Sequence, residues 1–124
     1  MNFMATRDPP WTTPGDVGRL VLVAHYDSKL TPEGFIGATD SAVPCAVLLH
    51  TAKVIDGALE RKWKAMQEKN DYMAMEEERG VMILFLDGEE AFENWTDEDS
   101  LYGARYILHF SSTYTHLNAA HSPY

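Results

Sequence analysis

The sequence has few basic residues and only one cysteine. Its 124 residues include 10 Lys and Arg against 19 Asp and Glu, which gives a formal net charge of −9. A protein that binds nucleic acid needs a basic face to meet phosphate, so this charge argues against a nucleic-acid partner. Cys45 has no second cysteine to pair with, which excludes an internal disulfide. Its apolar neighbours predict a small, buried side chain.

Long apolar runs are missing as well. None approaches the roughly 20 residues of a transmembrane helix, so the sequence predicts no membrane span. Residues 1–16 lack the apolar core of a secretory signal peptide. Hydrophobic residues nevertheless make up 45% of the chain, which is enough to build the core of one globular domain.

Two short apolar runs, Arg19–Ala24 and Gly80–Leu86, predict strands that are buried on both faces. Between them the sequence predicts a helix over Ser41–Asp56, with Pro44 in its first turn and Gly57 as its stop. The order strand, helix, strand indicates an α/β fold. Ligands of such folds gather beyond the carboxyl ends of the strands.

The predicted helix should turn one apolar side toward the sheet. The positions that follow its period are Val43, Val47 and Val54. The next segment, Ala58–Arg79, is rich in Lys, Glu, Met and Ala, and is expected to be partly helical and exposed, with Trp63 contacting the core.

Acidic residues follow both predicted strands. Asp87-Gly88-Glu89-Glu90 comes directly after the second strand, and His25-Tyr26-Asp27 after the first, with Asp40 on a later loop. Two carboxylates held close together either share a proton or bind a cation. Carboxylates and a histidine are the ligands that hydrolase-type zinc sites use. The sequence therefore predicts part of a metal-dependent enzyme.

Four ordered blocks, His25–Lys29, Ile36–Ala46, Phe85–Phe92 and Asp99–Arg105, resemble the glutaminyl-peptide cyclotransferases, or glutaminyl cyclases. That family shares its fold with zinc aminopeptidases. The resemblance implies a partial zinc-aminopeptidase-like sheet with flanking helices. It also implies a Zn²⁺-dependent enzyme that converts the N-terminal glutamine of peptides or proteins to pyroglutamate and releases ammonia. The compartment it implies is the secretory pathway.

The resemblance assigns roles to the acidic residues. Asp40 and Glu90 match zinc ligands, and Glu89 matches the general acid/base that exchanges protons beside the metal. Taken alone, Asp40 is equally suited to be the N-cap of the helix that follows it. Lys29 and Trp95 match positions near the substrate pocket, where an indole would supply an apolar wall.

Three more residues of the blocks have open roles. His25 is either a metal ligand, as in two-zinc aminopeptidases, or a hydrogen-bonded residue beside the site, and the single zinc of glutaminyl cyclases favours the second. Asp27 likewise is either a metal ligand or a hydrogen-bonded residue beside the site. Asp87 is expected to orient its neighbours. The acidic run Asp97–Asp99 is expected to form a turn before a helix over Leu101–Phe110, which Ser100 would cap.

The family's third zinc ligand, a histidine far downstream in a longer domain, has no counterpart here. His116 or His121 could be proposed as a substitute, but neither has a matching context. The expected organisation is an irregular segment over residues 1–18, a partial domain over 19–110 and a divergent tail over 111–124. We therefore expect a fragment or shortened gene product of a glutaminyl cyclase that binds zinc weakly on its own.

Two alternatives stay open, namely a zinc aminopeptidase of the same fold and a non-catalytic remnant. Two-zinc aminopeptidases usually carry a second acidic residue where this chain has Thr39, and Gly-rich sequence where it has Ala91–Trp95. Both differences favour the cyclase.

Overall fold

The computed structural model describes residues 1–13 and 15–109. Its strands and helices, in chain order, are β1 (Phe3–Arg7), β2 (Arg19–His25), α1 (Val43–Lys69), α2 (Tyr72–Glu77) and β3 (Gly80–Leu86). An irregular turn, Ala38–Ala42, leads into α1, and residues 102–109 form a further helix, α3.

The described strands form one sheet with β3 in its middle. β2 pairs with β3 in parallel, with Arg19 opposite Gly80 and His25 opposite Leu86. Both predicted strands and the α/β fold are thereby confirmed. A parallel pair joined by a helix places both carboxyl ends at one edge of the sheet, which is where the two acidic clusters follow in sequence.

β1 corrects the expectation that residues 1–18 are irregular. It pairs antiparallel with β3, with Phe3 opposite Phe85 and Arg7 opposite Val81. All five of its residues are exposed. An edge strand without a buried side shows no alternation of apolar and polar residues, so its sequence lacks the usual strand signal. Residues 8–13 and 15–18 contain no helix or strand, as expected.

α1 is longer than the sequence predicted. Its 27 residues run through Gly57 and end where Asn70 adopts the left-handed conformation. A glycine inside a helix costs only about 1 kcal/mol relative to alanine. The Ala, Leu, Glu, Lys and Met residues that follow Gly57 are strong helix formers, so the helix continues. Pro44 lies in the first turn, as predicted.

The side of α1 that faces the sheet is not the predicted one. Val43, Val47 and Val54 are 54%, 56% and 58% exposed. Instead Ile55 and Leu59 line a gap against β1 and β3. One further turn along the same face lies Trp63, which is 2% exposed.

Trp63 joins the helix to the N-terminal segment. Its ring lies edge-on to the ring of Trp11, with centroids 6.3 Å apart. The guanidinium of Arg7 lies 5.3 Å from the ring centroid of Trp63. The expected contact of Trp63 with the core is thus confirmed.

The predicted burial of β2 on both faces is wrong for the described residues. Leu20 and Val23 are 60% and 49% exposed, whereas Ala24 is buried. Parallel strands with apolar residues on both faces need a covering layer on each side. The described part of the chain places one long helix against this sheet, so much of the apolar surface stays uncovered.

Within the described residues, one helix is long and apolar enough to cross a membrane. The stretch Ala38–Lys69 contains an 18-residue window with mean hydropathy 1.4. Core helices of soluble proteins pass the same test, so one such helix is weak evidence for a span. The expectation of no membrane span stays a prediction.

Candidate active site

The acidic clusters meet where β2 and β3 end. His25 is the last residue of β2, and the N–H of Tyr26 still donates to the carbonyl of Leu86 at 2.9 Å. Glu89 and Glu90 lie in the turn that follows β3. The register of this strand pair therefore sets the positions of both clusters.

Asp27 connects the clusters. Its Oδ1 accepts the backbone N–H of Glu89 and its Oδ2 accepts the backbone N–H of Glu90, both at 3.0 Å. A carboxylate that accepts two adjacent N–H groups fixes the direction of that turn and makes strong, charge-assisted hydrogen bonds. Asp27 thus holds the main chain of the glutamate pair.

His25 lies at the centre of the cluster, and its side chain is 12% exposed. Its Nε2 donates to Asp40 Oδ1 at 2.9 Å. Two further carboxylate oxygens are nearby, Glu89 Oε2 at 3.8 Å from Nε2 and Asp27 Oδ1 at 3.5 Å from Nδ1. His25 thus contacts three carboxylates in this structure, and both of its open roles stay predictions.

The surroundings of His25 favour its charged form. Burial works to lower its pKa, but the hydrogen bond to Asp40 and the negative charges of Glu89 and Asp27 outweigh burial, so the pKa is raised. A charged imidazolium also partly offsets the repulsion among the surrounding carboxylates.

Asp40 does not cap α1, which corrects one of its two open roles. The N-cap of α1 is Ala42, and no side chain bonds to the free N–H groups there. The carboxylate of Asp40 is 60% exposed and directed at His25. It is therefore available to a ligand from solvent.

Two side chains that the sequence did not single out for the site hold the carbonyl of His25. Ser41 Oγ donates to this oxygen, and so does Cys45 Sγ at 3.0 Å. Ser41 is buried, while Cys45 is half-buried rather than fully buried as predicted. The signal for Ser41 is its place directly after Asp40 and one helical turn before Cys45.

The two glutamates have different surroundings. Glu90 is 6% exposed, its Oε1 finds no hydrogen-bond partner among the described residues, and its Oε2 lies 3.8 Å from Lys29 Nζ. Burial raises the pKa of Glu89, the charge of His25 opposes this shift, and the neighbouring carboxylates add to it. The side chain of Glu89 is 26% exposed against 5% for that of Glu90, so Glu89 is the more accessible carboxyl group.

The donor chemistry fits two zinc ligands but does not complete a site. The unpartnered buried oxygen of Glu90 and the accessible carboxylate of Asp40 are suitable oxygen donors. Among residues 1–13 and 15–109, no group of three or more His, Cys, Asp and Glu side chains is arranged to hold a metal ion. His116 and His121 lie outside the described residues.

Asp87 and Trp95 are not brought into this cluster. The carboxylate of Asp87 pairs with the amino group of Met1, which lowers its pKa. The backbone N–H of Asp87 donates to Asn2 Oδ1 at 3.0 Å, so its contacts join the start of β1 to the end of β3. Trp95 is 57% exposed on the loop that follows Glu90.

Comparisons with known proteins decide the family. The model of Peptidase family M28 matches residues 9–121. The chain belongs to this family. This M28 chain is 41% identical over 119 residues to a glutaminyl-peptide cyclotransferase-like protein of Mus musculus, covering 93% of the chain and 27% of that relative. It is 48% identical over 89 residues to a glutaminyl-peptide cyclotransferase of Drosophila melanogaster, covering 71% and 22%.

A solved structure agrees with the sequence relatives. The crystal structure of Macrostomum lignano glutaminyl cyclase matches the M28 chain with a TM-score of 0.59 and 40% identity, covering 86% of the chain and 26% of that protein. The resemblance read from the four blocks is thereby confirmed, and so is the zinc-aminopeptidase-like fold class. The M28 chain spans about a quarter of the length of these relatives. The boundaries at residues 18 and 110 stay predictions.

Proposed function

We propose that this M28 chain supplies the central part of the active site of a glutaminyl-peptide cyclotransferase. The observation that carries the proposal is the assembly of His25, Asp27, Asp40 and Glu89 at one edge of the sheet. Relatives of about 40% identity that bear this enzyme's name support it. The substrate would be a peptide or protein with an N-terminal glutamine.

The reaction closes a ring within one residue. The α-amine nitrogen of the glutamine attacks its own γ-carbonyl carbon, the bond from that carbon to the amide nitrogen breaks, and ammonia leaves. Glu89 would take the proton that the amine loses and pass it to the departing nitrogen. Because nucleophile and electrophile belong to one residue, the enzyme mainly has to hold the glutamine in a bent conformation.

The other residues would position these groups. Asp27 would hold the main chain of Glu89 through one hydrogen bond, and His25, when protonated, would balance the charge of the carboxylates around it. Asp40 and Glu90 would hold the zinc ion together with a ligand outside the described residues. When bound, zinc would polarise the γ-carbonyl. Lys29 and Trp95 are proposed to border the pocket of the glutamine side chain.

The aminopeptidase of the same fold is the function to test against, since the family's name describes peptidases. The full protein should release ammonia from Gln-initiated peptides and leave Leu-initiated peptides intact. A peptide that begins with asparagine is the matched control, because its shorter side chain would close a strained four-membered ring. Mass spectrometry of the products separates the outcomes. Release of free leucine without any pyroglutamate would assign the chain to the peptidases and refute the proposal.

A further inference from the structure

The loop of residues 91–100, here called the rim loop, is closed at its base beside the glutamate pair. The N–H of Leu101 donates to the carbonyl of Glu89 at 3.0 Å, and the N–H of Tyr102 donates to that of Gly88 at 2.7 Å. The chain thus leaves Glu90 and returns to Glu89. Compact surface loops whose ends meet are frequently functional.

Asp99 holds the first half of the rim loop from within. Its Oδ1 accepts the N–H of Phe92 at 2.8 Å and the hydroxyl of Tyr102 at 2.7 Å. Its Oδ2 accepts the N–H groups of Glu93 and Asn94 at 2.8 and 2.9 Å. The Tyr102 hydroxyl and these N–H groups hold the pKa of Asp99 far below its usual range, so the carboxylate is charged at neutral pH.

The second half of the rim loop is held separately. Ser100 Oγ donates to the carbonyl of Thr96 at 2.7 Å. Because α3 begins at residue 102, the residue directly before it is Leu101 and not Ser100, which corrects the predicted N-cap. The N–H of Asp99 donates to Thr96 Oγ1 at 2.9 Å. Arg105 of α3 donates to the carbonyl of Asp97 at 2.9 Å. Asp99 therefore lies between two braced parts of the loop.

The hydrogen bonds within the rim loop hold its backbone while its aromatic side chains stay exposed to solvent. Trp95 and Phe92 are 57% and 68% exposed, although the N–H groups around them are bonded to Asp99. Ordering a loop costs conformational entropy, and the four hydrogen bonds to one carboxylate offset that cost before any ligand arrives. The loop is thus preorganised with an exposed indole, and its base closes on the carbonyl of Glu89.

We propose that Asp99 is a positioning residue that holds the rim loop so that the indole of Trp95 can contact the substrate. The proposal rests on the proposed function for the identity of the substrate, and it deepens that function. Asp99 itself touches no reacting atom. It acts through the N–H groups of residues 92–94, which directly precede Trp95 in the chain.

The structural part of the proposal is tested by Asp99→Asn. An asparagine has one acceptor oxygen and an NH₂ group that cannot accept, so it cannot bond all four donors. Hydrogen bonds to a charged group are stronger than those between neutral groups, so losing them should let this part of the loop open more often. Amide exchange at residues 92–94 in the 124-residue chain should therefore become tenfold faster or more, while the amides of β3 keep their rates. Unchanged exchange at residues 92–94 would overturn the proposal.

Two control variants separate the loss of a charge on the rim loop from the loss of the hydrogen bonds to Asp99. Asp97→Asn removes a charge from the same loop, but the Asp97 side chain makes no hydrogen bond to the described residues, so exchange should stay at the wild-type rate. Tyr102→Phe removes one of the four bonds and should have a smaller effect than Asp99→Asn. If Asp97→Asn speeds exchange as much as Asp99→Asn does, the effect comes from the charge of the loop and not from the hydrogen bonds that Asp99 accepts, and the proposal is wrong.

Kinetics of the full protein test the link to Trp95. Asp99→Asn should raise KM for a Gln-initiated peptide about tenfold and leave kcat within about twofold, since a pocket wall contributes binding common to ground and transition states. Trp95→Ala should do the same, and the double variant should be no worse than either single one. Fully additive effects would show that Asp99 does not act through Trp95 and would overturn the proposal. A wild-type protein without cyclase activity would refute the proposed function, while the exchange experiment would still decide the role of Asp99 in the loop.

Discussion

At the scale of single residues, the site is organised by charge. The carboxylates of Asp27, Asp40 and Glu89 surround one imidazole, and Lys29 Nζ lies 3.8 Å from Glu90 Oε2. Like charges at these distances repel unless hydrogen bonds or a cation compensate. For Asp27 the backbone N–H groups of Glu89 and Glu90 provide this compensation.

Asp27→Asn should loosen the glutamate pair. The asparagine side chain can accept from only one of the two N–H groups and would face the other with its own NH₂ donor. Amide exchange at Glu89 and Glu90 should rise tenfold or more, which matches the loss of one charge-assisted hydrogen bond. Asp87→Asn is the control, because Asp87 lies at the same strand end but its carboxylate contacts Met1. Equal rates in the Asp27→Asn variant and the wild type would mean that Asp27 does not hold this turn.

The sequence predicted this site only as far as its residue types. The family blocks led to Asp40, Glu89 and Glu90, and strand order led to their meeting at one edge. The hydrogen bonds of Asp27 to N–H groups 62 and 63 positions away depend on the register of β2 against β3. Register is a property of the folded sheet, and no local pattern encodes it.

At the scale of elements, α1 is the main support of the sheet. Its core side is formed by residues four positions apart, Ile55, Leu59 and Trp63. Ile55 lies just before the predicted stop at Gly57, and the other two lie after it. The sequence predicts a helix that ends at Gly57, so only Ile55 of this core side falls within the predicted helix. The apolar positions that remain in that shorter helix include the three valines, which the sequence therefore places against the sheet. Treating Gly57 as the helix stop therefore makes the prediction wrong for both the length of α1 and its core side.

Gly57→Ala should stabilise the protein. Gly57 lies inside α1, and a Cβ there would meet only Arg61 Nη1 at 3.4 Å, the end of a flexible side chain. The expected gain is about 0.5–1 kcal/mol in the free energy of unfolding, measured by urea denaturation. Gly34→Ala is the contrasting variant, since Gly34 has φ +82 and an alanine there is strained. A destabilised Gly57→Ala protein would contradict the continuous helix.

β1 shows a different limit of sequence-based prediction. Phe-Met-Ala-Thr-Arg is short, and every one of its side chains is exposed, so nothing in its pattern distinguishes it from a loop. Its place is decided by the unpaired side of β3, with which it bonds from Phe3 to Arg7. Tertiary pairing, and not local sequence, makes this segment a strand.

At the scale of the whole molecule, the described residues supply only part of the proposed zinc site. The proposed zinc ligands Asp40 and Glu90, the proposed proton carrier Glu89 and the rim loop lie near one edge of the sheet, within a chain that spans about a quarter of the length of its relatives. A catalytic zinc ion normally has three protein ligands and an open position. The expectation that residues 1–124 alone bind zinc weakly and turn over little substrate stays a prediction.

The most direct test of the account compares Glu89→Gln with Glu90→Gln in the full protein, with zinc content and pyroglutamate formation measured on the same samples. Glu93→Gln, an exposed change on the rim loop, is the matched control. We predict that Glu89→Gln keeps its zinc and loses turnover about 10²-fold or more, the usual contribution of a positioned proton carrier. Glu90→Gln should lose zinc. Loss of zinc from Glu89→Gln together with full zinc in Glu90→Gln would contradict the roles assigned to the two glutamates.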